Sequence, residues 1–269
     1  MTTGALIFAF NNEHTDYVRM AAWSAANIRR HLGIPVAVVT NVPDHELIKN
    51  NFDQVITAKA ESGGTRYFSD IGHSVTWYNA GRVDAYTLSP WDQTLVLDAD
   101  YVVAGDELNK VLAMPQTFAC HRWSSSVNGD QNFYQGNNWF GRPAMPMYWA
   151  TVMMFRRSPT AEYIFDCMNM VRLNWSHYRD LYGIDRATYR NDYALSIALG
   201  IVSGHTQTVD AIPWTLLAVL PEHTITQLGS DMYEVTYQDN HGRPKYLTFD
   251  GIDMHVMCKH HLENIIANS

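Results

Sequence analysis

Apolar runs of strand length alternate with stretches of helical period along the first third of the chain. Ala5-Leu6-Ile7-Phe8-Ala9-Phe10 is continuously apolar and predicts a buried first strand, closed by a polar turn over 11–15. Val18, Ala21, Ala25, Ile28 and Leu32 then recur at helical spacing, with Gly33 at the stop and Pro35 just beyond it. Residues 35–40 read as a second strand, 43–50 as a short helix and 54–57 as a third strand. This β-α-β-α-β order predicts a parallel, doubly wound sheet with right-handed crossovers. Ligands of such sheets sit at the carboxyl ends of the strands, where the polar turn after the first strand lies.

Further along, a Gly- and Ser-containing loop over 61–65 leads to a predicted helix over 74–88, and Ser89-Pro90-Trp91-Asp92 turns the chain into an apolar strand. Strand character returns at 117–121 and 148–155. The polar and aromatic stretch between them, 123–141, is of the kind that forms binding loops. Ala161, Ile164, Phe165, Met168 and Val171 mark a helix, and 191–199 a shorter one that Asn191 or Asp192 would cap. The last third turns to strands over 224–228, 232–238 and 245–249, with a turn at Asp239-Asn240-His241-Gly242 and a closing strand over 253–258. No internal repeat, low-complexity tract or Pro/Gly/Ser linker marks a boundary, so 1–269 reads as a single domain.

The strand Thr94-Leu95-Val96-Leu97 ends in Asp98-Ala99-Asp100. Successive side chains of an extended backbone alternate faces, so Asp98 and Asp100 point the same way. Two hard oxygen donors side by side at a strand end suit Mg²⁺ or Mn²⁺ carrying a diphosphate. The triplet alone decides little, since nineteen aspartates in 269 residues supply about one D-x-D by chance. Its place after a buried-type strand within a β/α series is what gives it weight.

Composition narrows the function classes. Hydrophobic content of 46% and charged content of 17% describe a globular chain with a sizeable core. A net charge of −8 and a pI near 5.8 argue against a generally basic surface for nucleic acid. Arg156, Arg157, Arg186 and Arg190 are candidates for a local basic groove. Cys120, Cys167 and Cys258 are odd in number and lack a CxxC, which predicts reduced thiols in a cytoplasm-like compartment. The apolar run at 5–10 is too short for a secretory h-region, and that at 211–220 falls below the roughly 20 residues that span a bilayer. A soluble, cytoplasmic protein without a membrane span is expected.

Four parts together resemble the GT-A-fold glycosyltransferases, in the layout of the family-8 type that uses nucleotide-diphosphate sugars. They are the first strand ending in a polar turn near Tyr17, the strand-DxD unit, the segment Arg190-Asn191-Asp192-Tyr193-Ala194-Leu195, and a late strand carrying His255. The resemblance implies an α/β fold: one GT-A-like, Rossmann-related domain with a mostly parallel central sheet, helices on both faces and a C-terminal β-rich part. Within it 1–105 would form the nucleotide-binding half and 106–269 the acceptor-side half. It implies a metal-dependent glycosyltransferase (hexosyl- or pentosyltransferase) taking a nucleotide-diphosphate sugar, with UDP the expected nucleotide and Mn²⁺ or Mg²⁺ the cofactor. Retention of configuration is the stereochemistry that layout leans towards.

By the same resemblance Asp98, Asp100 and His255 bind the metal, and Arg82 and Lys259 contact the diphosphate. The family's late His and Lys stand six apart around a Gly. Here His255-Val256-Met257-Cys258-Lys259 is shorter and has no Gly. Asn11 and Tyr17 would face the nucleotide base, the ring by stacking; Tyr17 could equally serve packing, and Arg82 a solvated helix face. Asp192 is the candidate carboxylate beside the sugar, orienting hydroxyls or stabilising an oxocarbenium-like transition state, or capping a helix, or both. Asp70 and Asp130 are weaker alternatives to it. Trp123, Tyr134, Trp139 and Phe140 suit stacking on a sugar or base. The Met-rich stretch 145–154 reads as core and edge packing, and His260 and His261 as a surface cluster.

Other chemistries lack their signatures. There is no GxxxxGK[ST], no GxGxxG after the first strand, no GxSxG, and no HExxH among the twelve histidines. A nucleotidyltransferase is the first rival, although Phe10-Asn11-Asn12-Glu13 is not the Gly-rich basic loop that usually opens one. A non-catalytic nucleotide- or sugar-binding module is the second. Saccharide, protein, lipid-linked and modified-DNA acceptors all remain open.

Overall fold

The computed structural model describes residues 1–62, 64–68, 72–129, 139–185, 188–205, 211–239 and 241–269. β1 (Thr3–Ala9), α1 (Tyr17–Leu32), β2 (Val36–Thr40), α2 (Ile48–Asn51) and β3 (Gln54–Thr57) follow the expected alternation. The helix expected over 43–50 shrinks to α2, because Pro43 and Asp44 form a turn. Next come β4 (Gly64–Phe68) and β5 (His73–Trp77), an antiparallel hairpin, then a 3₁₀ turn over Ala80–Asp84 and the short α3 (Ala85–Leu88). The helix expected over 74–88 is therefore corrected. Val75, Thr76 and Trp77 are β-branched or aromatic and pair as a ribbon, so helical backbone starts only after Asn79.

β6 (Gln93–Asp98) and β7 (Tyr101–Val102) flank the two aspartates, and α4 (Leu108–Leu112) leads to β8 (Phe118–His121) and β9 (Ser124–Ser126). β10 (Trp139–Phe140) pairs with β11 (Met145–Pro146) ahead of β12 (Trp149–Arg156). α5 (Pro159–Leu173), α6 (Trp175–Tyr182) and α7 (Asn191–Val202) follow. The chain ends with β13 (Leu216–Val219), β14 (Thr224–Gln227), β15 (Met232–Gln238), β16 (Pro244–Asp250), β17 (Met254–Val256) and α8 (Lys259–Ala267).

The central sheet has six strands in the order β3-β2-β1-β6-β12-β8. β3, β2, β1 and β6 are mutually parallel, and β12 runs antiparallel to both β6 and β8. Every residue of β2, and all but one terminal residue of β1, β6 and β12, is buried, so both faces of the sheet are covered. α1 lies against β1 and β2, and α7 against β12 and α5. Asp16 caps α1 by accepting the Arg19 N–H at 3.0 Å, and Gly33 closes it in the left-handed conformation at φ 66°. This is an α/β fold with a mostly parallel central sheet. β14, β15 and β16 form a separate antiparallel sheet, the expected C-terminal β-rich part.

A four-stranded sheet, β7-β17-β13-β9, positions the end of the chain. β17 pairs with β7 rather than with the central sheet, His255 opposite Tyr101. Asp253 fixes that register, since its Oδ1 accepts the N–H groups of Ala104 and Gly105 at 2.8 and 2.9 Å. Burial raises the Asp253 pKa to about 7, more than those two bonds lower it. Gly105 is needed at this crossing: a Cβ there would stand 2.4 Å from the Gly251 carbonyl oxygen. Among the described residues no helix is long and apolar enough to cross a membrane.

Candidate active site

β6 delivers Asp98 to its carboxyl end beside Phe8 of β1, and the chain turns through Ala99 and Asp100 into β7. β17 brings His255 alongside, where its Nε2 is 3.4 Å from Asp100 Oδ1. One donor atom from each of Asp98, Asp100 and His255 lies within 4.8 Å of the others. Two hard carboxylates and an imidazole at this spacing fit a Mg²⁺- or Mn²⁺-sized ion. Lys259, the first residue of α8, pairs with Asp100, and its ammonium lies 5.3 Å from the centre of the Tyr17 ring.

Arg82 is almost fully buried on the 3₁₀ turn, paired with Asp98 and donating to the Thr151 carbonyl at 3.1 Å. Asp192 lies in the first turn of α7 and accepts the Ala150 N–H at 3.0 Å while pairing with Arg190. The expected side-chain cap of this helix is not formed: extended Arg190 occupies the cap position, and Asn191 donates instead to the Asn79 carbonyl at 2.9 Å. Three carboxylates thus face three basic side chains, Asp98 with Arg82, Asp100 with Lys259 and Asp192 with Arg190.

Burial and charge pull the titrating groups in opposite directions. Burial raises the Asp98 pKa, and the Arg82 guanidinium does not fully offset it. Burial acts likewise on Asp100, but Lys259 and His255 outweigh it and hold this carboxyl well below the usual range. For His255 and Lys259 burial favours the neutral form, yet Asp100 more than compensates and raises both. Asp100 therefore carries firm negative charge at the centre of the cluster.

These groups open onto a cleft of about 630 Å³. Tyr17, Arg82, Asp98, Asp100, Asp192, His255 and Lys259 all line it, so seven of the eight site residues singled out from sequence come together. The eighth, Asn11, is not among the lining residues. Its amide donates to Asp16 and its carbonyl oxygen accepts the Val18 N–H, both at 2.9 Å, and Asn12 faces the cleft instead. Lining residues that sequence reasoning passed over include Trp77, Thr65, Thr76, Trp149 and Thr188, while Asn79 stood near the marked Arg82 and Arg190 was marked only as a basic-groove candidate. Trp123, Trp139 and Phe140 lie outside the lining set, and Met145, Met147, Met153 and Met154 are core as expected. Asp70, Asp130, Tyr134, Arg186 and Asn240 fall outside the described residues.

The basic groove does not form from Arg156 and Arg157. Arg156 ties down the Leu112 and Gln116 carbonyls and Arg157 that of Ser89, at the end of β12 away from the cleft. All three cysteines are buried and none forms a disulfide.

No family model matches the sequence, and no curated protein matches it. Among solved structures the chain is similar to the galactosyltransferase LgtC, solved in complex with donor and acceptor sugar analogues. That likeness has 13% identity and a TM-score of 0.47 over 71% of this chain and 69% of that one. The chain is similar to the glycosyltransferase GlyE of Streptococcus pneumoniae at 12% identity and a TM-score of 0.43, covering 79% of itself and 46% of GlyE. Mouse xyloside xylosyltransferase 1 gives 11% identity and a TM-score of 0.43, over 77% of this chain and 82% of that one. At these values the likeness is one of general arrangement, and the family-8 type is not singled out by it. The chemistry of the cleft is read from its own residues.

Proposed function

We propose that the protein is a metal-dependent glycosyltransferase that moves a sugar from a nucleotide-diphosphate donor, a UDP-sugar first among them, to a hydroxyl-bearing acceptor. The carrying observation is the convergence of Asp98, Asp100 and His255 with Arg82 and Lys259 in one cleft at the carboxyl end of β6. A Mn²⁺ or Mg²⁺ ion held by the three donors would neutralise a diphosphate as it leaves.

The chain's own residues supply the rest. Lys259 stands at the start of α8, where helix-end N–H groups and an ammonium both favour phosphate oxygens. Arg82 partly offsets the burial that raises the Asp98 pKa and adds a second positive centre. Tyr17 offers a ring to the base beside Asn12. Asp192, fixed by the Ala150 N–H and by Arg190, presents a carboxylate to the sugar, where positive charge builds at the anomeric carbon as the donor bond breaks. The paired charges cancel within the cleft, so a dication and a doubly charged diphosphate together restore neutrality, whereas either alone does not. The remaining wall, with Trp77, Trp149, Thr65 and Thr76, is uncharged and suits a saccharide better than a phosphate backbone.

Thermal shift across nucleotide-sugars, with and without Mn²⁺, tests this reading, because a specific ligand stabilises the fold by mass action. A metal-dependent rise with one UDP-sugar, followed by release of UDP on acceptor addition, is the expected result. Pyrophosphate release from a nucleoside triphosphate would replace the reading with nucleotidyl transfer. Tight UDP binding with neither transfer nor donor hydrolysis would reduce it to a binding module.

A further inference from the structure

We propose that Arg122, Trp123 and Trp139 form a second binding platform, outside the cleft, for an oligosaccharide acceptor; this rests on the glycosyl-transfer reading. The Arg122 guanidinium carbon lies 4.5 Å from the centre of the Trp123 ring and 4.8 Å from that of Trp139, with the Tyr148 ring at 5.5 Å. Arg122 is only 6% exposed, yet among the described residues no carboxylate pairs with it. Burying a cation is costly, and the aromatic faces and the Met147 carbonyl, at 2.9 Å from Nη1, offset part of that cost. The two indoles it holds are 47% and 48% exposed, which is unusual for Trp and concentrates apolar surface in one place.

Held this way, the rings are pre-organised. The Trp123 carbonyl accepts the Leu216 N–H at 2.9 Å, next to the pairing of β9 with β13, and Trp139 sits in β10. Rigid indole faces suit the C–H faces of pyranose rings, and Arg122, buried against them, holds the rings in place. A nucleic-acid strand would need a strongly basic surface, which a chain of net charge −8 does not favour. The platform adjoins the cleft: Arg122 follows His121, whose cross-strand partner Trp149 lines the cleft wall. Neither Trp123 nor Trp139 lines the cleft itself, so an acceptor touching both places extends beyond one sugar ring.

The test is an array of defined oligosaccharides, with a single-stranded oligonucleotide as a separate arm, probed with the wild type, Trp123→Ala and Trp139→Ala. Titration with UDP and Mn²⁺ and a melting curve are run on each. The wild type is expected to bind a subset of glycans, favouring chains over monosaccharides. Each substitution should weaken that binding about tenfold or more and leave the UDP titration unchanged, while lowering the melting temperature by a few degrees because each ring also covers the buried Arg122. Glycan binding that both variants retain, no glycan binding by the wild type, or capture of the oligonucleotide instead would overturn the platform. Tryptophan-dependent glycan binding in a protein that fails to bind UDP with Mn²⁺ would uphold the platform while removing the transferase reading.

Discussion

The lining of the cleft divides into two unlike sets of groups, a charged wall and an uncharged one. In the first every functional group is charged and already engaged: Asp98 with Arg82, and Asp100 with Lys259 and His255. In the second Trp77, Trp149, Thr65 and Thr76 offer shape and hydroxyls without charge. Two histidines make the same contrast. His255 is kept towards its protonated form by Asp100 although burial opposes it, whereas His121, beneath the uncharged wall, is driven neutral by burial with its pKa pulled down to about 4. Burial favours the neutral form of both, and the outcomes differ because only His255 has a carboxylate beside it. The charged wall is built to bind an ion and its counter-ion together, the uncharged wall to select by fit.

Breaking the charged wall should have the largest effect. Asp100→Asn or Asp98→Asn is expected to reduce metal-dependent transfer by about 10³-fold, roughly 4 kcal/mol of transition-state stabilisation, measured as kcat/KM at saturating Mn²⁺. Stability comes next. Asp98→Asn leaves Arg82, a side chain 2% exposed, facing no charge, and should cost about 3–5 kcal/mol in denaturant unfolding. Adding Arg82→Met should recover much of that loss, and a strictly additive double variant would show that the two residues do not act as a pair.

The uncharged wall predicts a smaller, pH-dependent effect. An unfolded histidine binds a proton near its ordinary value of 6.5, while folded His121 resists protonation down to about 4. Stability that is complete above the unfolded value is therefore lost as pH falls from there towards the folded one, by about 3 kcal/mol. His121→Gln should flatten that slope in urea midpoints taken across the window, and an unchanged slope would assign the acid sensitivity elsewhere. The smallest effect is expected from Trp77→Ala. It should raise the KM for acceptor about tenfold with little change in UDP affinity, since an aromatic contact contributes about 1 kcal/mol beyond its buried area.

Legibility in the sequence followed the same divide. β1, β2 and β6 could be read because buried parallel strands are continuous apolar runs, and the β6 run leads into the two aspartates. The hairpin β4–β5 was hidden: residues 74–77 are too few to show a period of their own. At the end of β1 two adjacent asparagines look alike in sequence. Backbone geometry alone decided that Asn11 holds the start of α1 while Asn12 faces the cleft. Lys259 stood at the wrong spacing for the family pattern, but α8 begins with it and brings it to Asp100. Arg190 was marked only as a basic residue; its pairing with Asp192 depends on an extended residue ahead of α7, which sequence period does not reveal.

The most direct test of the metal-diphosphate site is a UDP binding isotherm with Mn²⁺ and with chelator, run on the wild type and on Asp100→Asn. Coupling through a shared site predicts that Mn²⁺ tightens UDP binding by about 100-fold in the wild type, and that the substitution abolishes the gain. Equal UDP affinity with and without the ion, or full retention of the gain in Asp100→Asn, would contradict it.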